Sequence, residues 1–132
     1  MPKKAIPVVA ALVRDASGRV LLARRPPGKV RAGFWEFPGG KVKSGEPPEA
    51  ALKRELQEEL GVSARVGQKL GSIIHPYPEV TIELSLYEAL IEGRIVAREG
   101  QKVAWFKPEE VFGLELCPAD RKLFEILWRE AP

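Results

Sequence analysis

The sequence predicts a single domain that combines helices with β-strands. The chain has 132 residues, the length of one ordinary domain, and no repeat or break in composition divides residues 1–132. Leucines recur every four residues at Leu52, Leu56 and Leu60, as on one face of a helix. Apolar and polar residues alternate through residues 80–91, as in a half-buried strand. Periodicity alone therefore predicts an α plus β composition.

Composition and charge narrow the class of protein. Charged residues make up 30% and hydrophobic residues 45% of the chain, which fits a soluble globular protein. The net charge of +3 comes from scattered Lys and Arg, so polyanionic ligands are compatible with the chain but a nucleic-acid partner is not expected. The lone Cys117 excludes an internal disulfide, and no signal region or long apolar run is visible. We therefore expect a cytoplasmic protein with no membrane partner.

The first part of the chain predicts a β-hairpin. Residues 6–13 (IPVVAALV) and 19–25 (RVLLARR) have strand composition, and a turn signal at residues 15–18 lies between them. We expect these two strands to pair antiparallel. Arg24 and Arg25 point to opposite faces of the second strand, so either one of them faces a phosphate or both are solvated charges at the strand end.

Residues 29–37 (KVRAGFWEF) predict a loop that leads into a short extended segment, and Pro38-Gly39-Gly40 follows. Proline and paired glycines disfavour both a helix and a central strand, so a sharp turn is expected here. Glycines in such a turn allow the backbone to approach a ligand or a metal closely, although a plain tight turn is their commoner use.

A helix is predicted to begin at residues 45–48 (GEPP) and to end before Gly61. Glu55, Glu58 and Glu59 lie at spacings of three and four, which places them on one helical face beside the leucine stripe. Like charges at these spacings repel one another. The arrangement therefore indicates either a solvated acidic surface or a cation-binding edge of a cleft.

The second half of the chain predicts further strands and a terminal helix. These are strands at residues 64–74, 80–91 and 102–106, a helical turn at 108–112 and a last helix at 118–130. His75-Pro76-Tyr77-Pro78 is expected to separate the strands at 64–74 and 80–91, with His75 as a structural or surface residue rather than a metal ligand. The last helix carries an apolar stripe for docking on the sheet, formed by Leu123, Phe124, Ile126, Leu127 and Trp128.

A longer pattern changes the interpretation of the glutamates. Gly40 is followed after five residues by Glu46 and, after seven more, by residues 54–62 (RELQEELGV). This pattern matches every specified position of the Nudix box, and the chain resembles a MutT-type Nudix hydrolase. Average residue usage produces such a match on the order of once in ten million windows. The resemblance extends to residues 37–41 (FPGGK), 99–101 (EGQ), Trp105 and residues 118–120 (PAD), and so covers nearly the whole chain.

The resemblance implies an α/β Nudix fold, in which a mixed, mostly antiparallel sheet is sandwiched between the box helix and the C-terminal helix. It also implies a site for Mg²⁺, with Mn²⁺ as a possible substitute, because these hard cations prefer oxygen ligands and commonly bind together with substrate phosphates. The implied metal ligands are Glu55, Glu58, Glu59, Glu99 and the backbone carbonyl of Gly39. Arg54 is implied to orient the glutamates by ion pairing, and the catalytic base stays open among Glu55, Glu58 and Glu99.

The reaction implied by the resemblance is hydrolysis of a nucleoside triphosphate to the monophosphate and pyrophosphate. Water attacks the inner of the two phosphoryl groups that become pyrophosphate, and a bound metal ion neutralises phosphate charge and lowers the pKa of water. Arg25 and Lys41 match basic positions that hold phosphates in MutT-type enzymes. Phe37 and Tyr77 are candidates for stacking on the base, with packing in the core as an equal alternative.

Base choice is expected to depend on Asp120, where MutT-type enzymes have an Asn that reads the purine edge. A carboxylate only accepts hydrogen bonds unless it is protonated, so Asp120 favours a base edge with N–H donors, such as the amino group of cytosine or N1 and N2 of guanine. The alternative is an acidic residue that stabilises the first turn of the last helix. With Asp at this position, the chain resembles the Nudix branch that hydrolyses CTP and modified dCTP. CTP, modified dCTP and 8-oxo-dGTP therefore all stay open as substrates.

Two other functions remain open at this point. The chain is either a Nudix hydrolase of another substrate, such as a nucleotide sugar, dinucleoside polyphosphate or capped RNA, or a non-catalytic Nudix-fold binding module. Such modules usually lack box residues, whereas this box is complete. We therefore expect a small-molecule nucleotide as the partner, and either a monomer or a homodimer.

Overall fold

The computed structural model describes residues 4–129, which form seven strands and three helices. In chain order these are β1 (Ile6–Leu12), β2 (Val20–Arg24), β3 (Trp35–Glu36), β4 (Gly39–Lys41), α1 (Pro48–Leu60), β5 (Ser63–Pro76), β6 (Thr81–Glu92), β7 (Lys102–Phe106), α2 (Pro108–Val111) and α3 (Pro118–Arg129). Glu130, the last residue of the predicted C-terminal helix, lies outside the described residues. None of the helices within 4–129 is long and apolar enough to cross a membrane. The organisation of residues 1–132 as one domain stays a prediction.

The strands form two sheets. The larger sheet has the order β4-β1-β6-β5, in which β1 and β6 run parallel and the other neighbours run antiparallel. The smaller sheet has the order β3-β2-β7 and is antiparallel. The predicted α/β architecture with mixed, mostly antiparallel strand pairing is confirmed, with the strands divided between two sheets.

The central strand β1 packs its side chains alternately into two hydrophobic clusters. Val9 and Ala11 lie with the buried leucines of α1, whereas Ala10 and Leu12 lie with Phe124 of α3. Because successive side chains of a strand point to opposite faces, the two helices lie on opposite sides of β1. Burial on both faces also explains why this segment is a continuous apolar run.

The turn of the predicted N-terminal hairpin is present, but the prediction that β1 and β2 pair with each other is wrong. The N–H of Gly18 donates to the carbonyl oxygen of Asp15 at 2.9 Å, and Arg14 bridges Val20. β1 then pairs with β4 and β6, while β2 pairs with β3 and β7. Each strand is therefore occupied at both edges by other strands, which leaves neither edge for a hairpin.

The predicted sharp turn at Pro38-Gly39-Gly40 is also corrected. The chain does pass from one sheet to the other at Pro38, but Gly39 and Gly40 then form part of the edge strand β4, which pairs with β1. A Cβ at Gly39 would lie 2.0 Å from the carbonyl oxygen of Val9, so only glycine permits this close approach.

The long β5–β6 hairpin turns two residues later than predicted. β5 continues through His75 and Pro76, and the N–H of Tyr77 then donates to the carbonyl oxygen of Val80 at 2.8 Å. Since β5 is an edge strand, it tolerates a proline at its end.

Helix α1 has the predicted core-facing stripe. Leu52, Leu56 and Leu60 are fully buried, and the chain leaves the helix through Gly61 at φ +67°. The glutamates occupy the neighbouring face. Burial of the leucines therefore fixes which way that acidic face points.

Helix α3 buries a narrower stripe than predicted. Leu123 and Phe124 are buried, and Leu127 and Trp128 pack partly against the same cluster. Ile126 is 44% exposed, so its assignment to the stripe is wrong. At 100° per residue it lies roughly 130° from the centre of the other four side chains, beyond the docked face.

Candidate active site

A cleft of about 650 Å³ brings together most of the side chains predicted to form the site. The predicted residues that line it are Arg25, Phe37, Gly39, Lys41, Glu55, Glu59, Tyr77, Glu99 and Asp120. Arg54 and Glu58 are not among its lining residues. A cleft of this volume is large enough for a small-molecule ligand such as a nucleotide.

Arg54 organises carboxylates of α1 and of the loop before it. Its guanidinium donates to both oxygens of Glu46 at 2.8 and 2.9 Å, to Glu55 at 2.9 Å and to Glu58 at 3.3 Å. It also donates to the carbonyl oxygen of Lys41 at 3.0 Å. Hydrogen bonds from Arg54 lower the pKa of Glu46 to about 2. These contacts match the orienting role implied for Arg54, and they add Glu46, which was not predicted as a site residue.

Glu55 and Glu59 form the less exposed part of the acidic face. Glu55 lies so close to Gly40 that a Cβ there would come within 2.3 Å of the carboxylate. Burial raises the pKa of Glu55. Burial, together with the negative charges of Glu36, Glu55 and Glu99, raises the pKa of Glu59 to about 9. This part of the cleft therefore holds closely spaced carboxyl groups away from water, which disfavours their ionisation unless a cation offsets the charge.

The donor chemistry of this face fits a hard divalent cation. A cation offsets the mutual repulsion of Glu55, Glu59 and Glu99, and their carboxylate oxygens are the ligands that Mg²⁺ and Mn²⁺ prefer. The Glu58 side chain is 49% exposed and lies outside the lining of the cleft. Within the described part of the chain, no three of these glutamates bring ligand atoms within 4.8 Å of one another.

Gln101 anchors the Glu99 loop to the end of α1. Its amide nitrogen donates to the carbonyl oxygen of Glu59 at 3.2 Å, and its amide oxygen accepts from the N–H of Glu99 at 2.8 Å. The N–H of Arg98 also donates to the carbonyl oxygen of Glu59, at 2.9 Å. These bonds place Glu99 beside the glutamates of α1. The sequence offers only a weak signal for this role, a neutral residue in a charged loop.

A second polar cluster lies in the same cleft. Ligand atoms of Glu36, Cys117 and Asp120 lie within 4.8 Å of one another, and Asp120 accepts from the N–H of Phe37 at 3.0 Å. Burial raises the pKa of Asp120, and the charge of Glu36 raises it further. Glu36 and Cys117 were not predicted. The sequence feature that could have indicated Glu36 is a single carboxylate among the aromatic residues of the segment FWEF.

The basic residues at the end of β2 and the aromatic residue after β3 have different surroundings. Arg25, rather than Arg24, lines the cleft, and it already donates to Glu36 at 3.1 and 3.2 Å. Phe37 is 3% exposed and packs 6.4 Å from Phe124 between ring centroids, which favours its packing role.

Tyr77 is held between the hairpin turn and helix α3. Its hydroxyl oxygen accepts from the N–H of Ala119 at 3.0 Å, and its ring meets the ring of His75 edge-on at 4.4 Å. Burial raises the pKa of Tyr77 to about 12. His75 lies outside the lining of the cleft, with its Nδ1 3.0 Å from Nζ of Lys122, in agreement with a structural or surface role.

Fold and site together define an α/β protein whose carboxylate-rich helix faces a nucleotide-sized cleft. Residues 9–125 match the sequence pattern of the NUDIX domain family, and the chain belongs to this family. It is 42% identical to the CTP pyrophosphohydrolase of Escherichia coli strain K12, over 92% of this chain and 90% of that protein. It is 38% identical to the 8-oxo-dGTP diphosphatase of Haemophilus influenzae, over 98% of this chain and 96% of that protein.

A solved structure supports the same family. The chain is similar to the MutT protein from Methanosarcina mazei Go1, with a TM-score of 0.88 and 28% identity, over 98% of this chain and 97% of that one. The resemblance to MutT-type Nudix hydrolases is therefore confirmed, and with it the prediction of a Nudix hydrolase.

Proposed function

We propose that this protein is a Mg²⁺-dependent nucleoside triphosphate pyrophosphohydrolase that releases a nucleoside monophosphate and pyrophosphate. Its candidate substrates are 8-oxo-dGTP, CTP and modified dCTP. The observation that carries the proposal is that one cleft contains both the carboxylates of α1 and Asp120, so that a single nucleotide meets both. The names of two relatives, CTP pyrophosphohydrolase and 8-oxo-dGTP diphosphatase, support the same class of substrate.

The residues that would hold the metal are Glu55, Glu58, Glu59 and Glu99, with the backbone carbonyl of Gly39. When bound, Mg²⁺ supplies neutralisation of phosphate charge and a lower pKa for water at the site. Mn²⁺ is a possible substitute because it has the same preference for oxygen ligands. Arg54 keeps Glu55 and Glu58 in place through its hydrogen bonds, and Gln101 does the same for Glu99.

The remaining residues bind the phosphates and move the proton. Lys41 and Arg25 line the cleft and are the candidate phosphate ligands, although phosphate competes with Glu36 for Arg25. One of the three carboxylates of Glu55, Glu58 and Glu99 accepts the proton of the attacking water. The water oxygen bonds to phosphorus of the inner of the two phosphoryl groups that leave as pyrophosphate, and the bond from that phosphorus to the monophosphate oxygen breaks.

Base recognition is assigned to the cluster around Asp120. Asp120 is buried and Glu36 is half-buried in the cleft, and burial raises the pKa of both groups. Whichever of the two is ionised accepts hydrogen bonds without donating them. Their site therefore favours bases with exposed N–H donors, such as cytosine, guanine and 8-oxoguanine.

The decisive experiment is a panel of substrates with and without Mg²⁺, compared by kcat/KM. It includes CTP, dCTP, dGTP, 8-oxo-dGTP, a nucleotide sugar, a dinucleoside polyphosphate and an RNA with a 5′-triphosphate. We expect metal-dependent release of pyrophosphate, with the best values for cytosine or oxidised guanine triphosphates. Reaction in ¹⁸O-water should place the label in pyrophosphate rather than in the monophosphate.

Other outcomes of the panel would contradict the proposal. Faster turnover of the nucleotide sugar, the dinucleoside compound or the RNA would indicate a Nudix hydrolase of another substrate class. Absence of metal-dependent turnover for every compound would indicate a non-catalytic nucleotide-binding module.

A further inference from the structure

The loop between β2 and β3 contains an arginine that the proposed mechanism does not use. Arg31 has φ +59° and is the one non-glycine residue with positive φ in the described part of the chain. This region of backbone conformation is unfavourable for residues with a Cβ and is retained where surrounding contacts stabilise it. Such strain is common at ligand sites.

Two contacts hold the Arg31 side chain. Its guanidinium carbon lies 3.6 Å from the centroid of the Tyr77 ring, and its terminal nitrogens donate to Glu79 at 2.8 and 3.3 Å. Tyr77 and Glu79 both belong to the turn of the β5–β6 hairpin. Arg31 therefore connects the β2–β3 loop to that turn.

These contacts place Arg31 near the polar cluster of Glu36, Cys117 and Asp120, to which base recognition was assigned above. The hydroxyl of Tyr77 accepts from the N–H of Ala119, the residue before Asp120, so a single tyrosine links Arg31 to the first turn of α3. Arg31 lines the same cleft as Asp120, and its side chain keeps 20% of its surface exposed.

The chemistry of this arrangement favours a planar, uncharged ligand group. One face of the guanidinium covers Tyr77, and Glu79 offsets its charge, which weakens it as a phosphate ligand. A guanidinium plane fixed in this way offers its other face for stacking on a nucleobase.

We propose that Arg31 is a specificity-determining residue, which Tyr77 and Glu79 hold in place so that its guanidinium stacks on the base whose edge meets Asp120. The proposal rests on the function proposed above and deepens it. It assigns Arg31 to the base and leaves the phosphates to other residues.

The test compares Arg31→Asn with Arg31→Lys. Asn tolerates positive φ, so the first variant removes the guanidinium without adding backbone strain, whereas Lys keeps the charge and removes the plane. We expect both variants to raise KM for the best triphosphate by about tenfold and to change the ratio of kcat/KM between cytosine and guanine nucleotides. The value of kcat should change by less than about threefold, because the reacting phosphates lie elsewhere.

Arg19→Asn is the matched control. Arg19 also forms an ion pair, with Asp15 at 2.7 Å, but it lies outside the cleft, so this variant should leave every ratio unchanged. Calorimetric binding of the monophosphate products gives a second measurement that needs no turnover, and Arg31→Asn should weaken it in parallel with KM.

Three results would overturn the assignment of Arg31. The first is an equal rise in KM for all triphosphates and for inorganic tripolyphosphate, which indicates a phosphate contact. The second is rescue of base selectivity by Lys, and the third is a lower Tm with unchanged selectivity, which indicates a structural role only. Failure of the wild-type protein to hydrolyse any triphosphate would instead refute the proposed function.

Discussion

Replacing Gly40 with alanine should impair catalysis through a single methyl group. The φ of Gly40 is not positive, so the backbone accepts alanine, but the new Cβ would lie 2.3 Å from the carboxylate of Glu55. Ordinary van der Waals contact begins near 3.4 Å, so the carboxylate must move by about 1 Å. Arg54 donates to this carboxylate at 2.9 Å, and the displacement disturbs that bond as well.

The expected effect is large for such a small change. A misplacement of about 1 Å in a catalytic site costs on the order of 100-fold in rate, so kcat/KM for pyrophosphate release should fall by about that factor. Circular dichroism and Tm measure whether the fold is retained. Gly113→Ala is the control, because its Cβ would lie 3.6 Å from the nearest atom, the carbonyl oxygen of Glu110, which is an ordinary contact.

A double substitution tests whether the methyl group acts through Glu55. In a Glu55→Ala background the carboxylate is absent, so adding Gly40→Ala should change kcat/KM by less than about twofold. The reasoning is refuted if Gly40→Ala has wild-type kcat/KM, or if it lowers activity by the same factor with and without the Glu55 side chain.

Three further predictions concern the metal site, the base cluster and the core. Glu59→Gln should lower kcat by orders of magnitude and leave Tm unchanged. Glu83→Gln, at an exposed position, is the control. Near-normal pyrophosphate release by Glu59→Gln would contradict the metal assignment. Burial raises the pKa of Asp120 in the folded state, so the folded wild type binds more protons than the unfolded chain and loses stability as the pH rises from about 4 through the raised pKa. Asp120→Asn removes this carboxyl group, so the variant should lose less stability over the same pH range. Urea unfolding at several pH values measures this loss, and an equal loss in both proteins would argue against it. Leu56→Ala should lower the free energy of unfolding by about 2–5 kcal/mol, because Leu56 is fully buried, and a loss below about 1 kcal/mol in urea would show that the core relaxes around it.

Helix α1 and its acidic face could be predicted because the information is local. The spacing of Leu52, Leu56 and Leu60 determines which side of the helix is buried, and the same 3.6-residue geometry then places Glu55 and Glu59 on the neighbouring face. The box pattern, also local, indicated the metal chemistry.

Strand partners could not be predicted in the same way. Backbone N–H and C=O groups are the same in every strand, so a turn signal between two apolar runs does not decide whether the runs pair with each other. β1 and β2 flank such a turn and nevertheless belong to different sheets. Burial on both faces, which depends on all the neighbouring elements, decided their partners.

The sequence by itself determined the helices, the position of the carboxylate-rich face and the family of the protein. Only the tertiary structure decided what lies opposite that face: Asp120 meets the backbone of Phe37 across 83 residues of chain, and Arg31 meets Glu79 across 48. Neither contact leaves a periodic signal in the sequence, because each depends on how separate loops and helices pack around the cleft. The diphosphate chemistry is therefore visible in one continuous segment, whereas base recognition is assembled from distant ones.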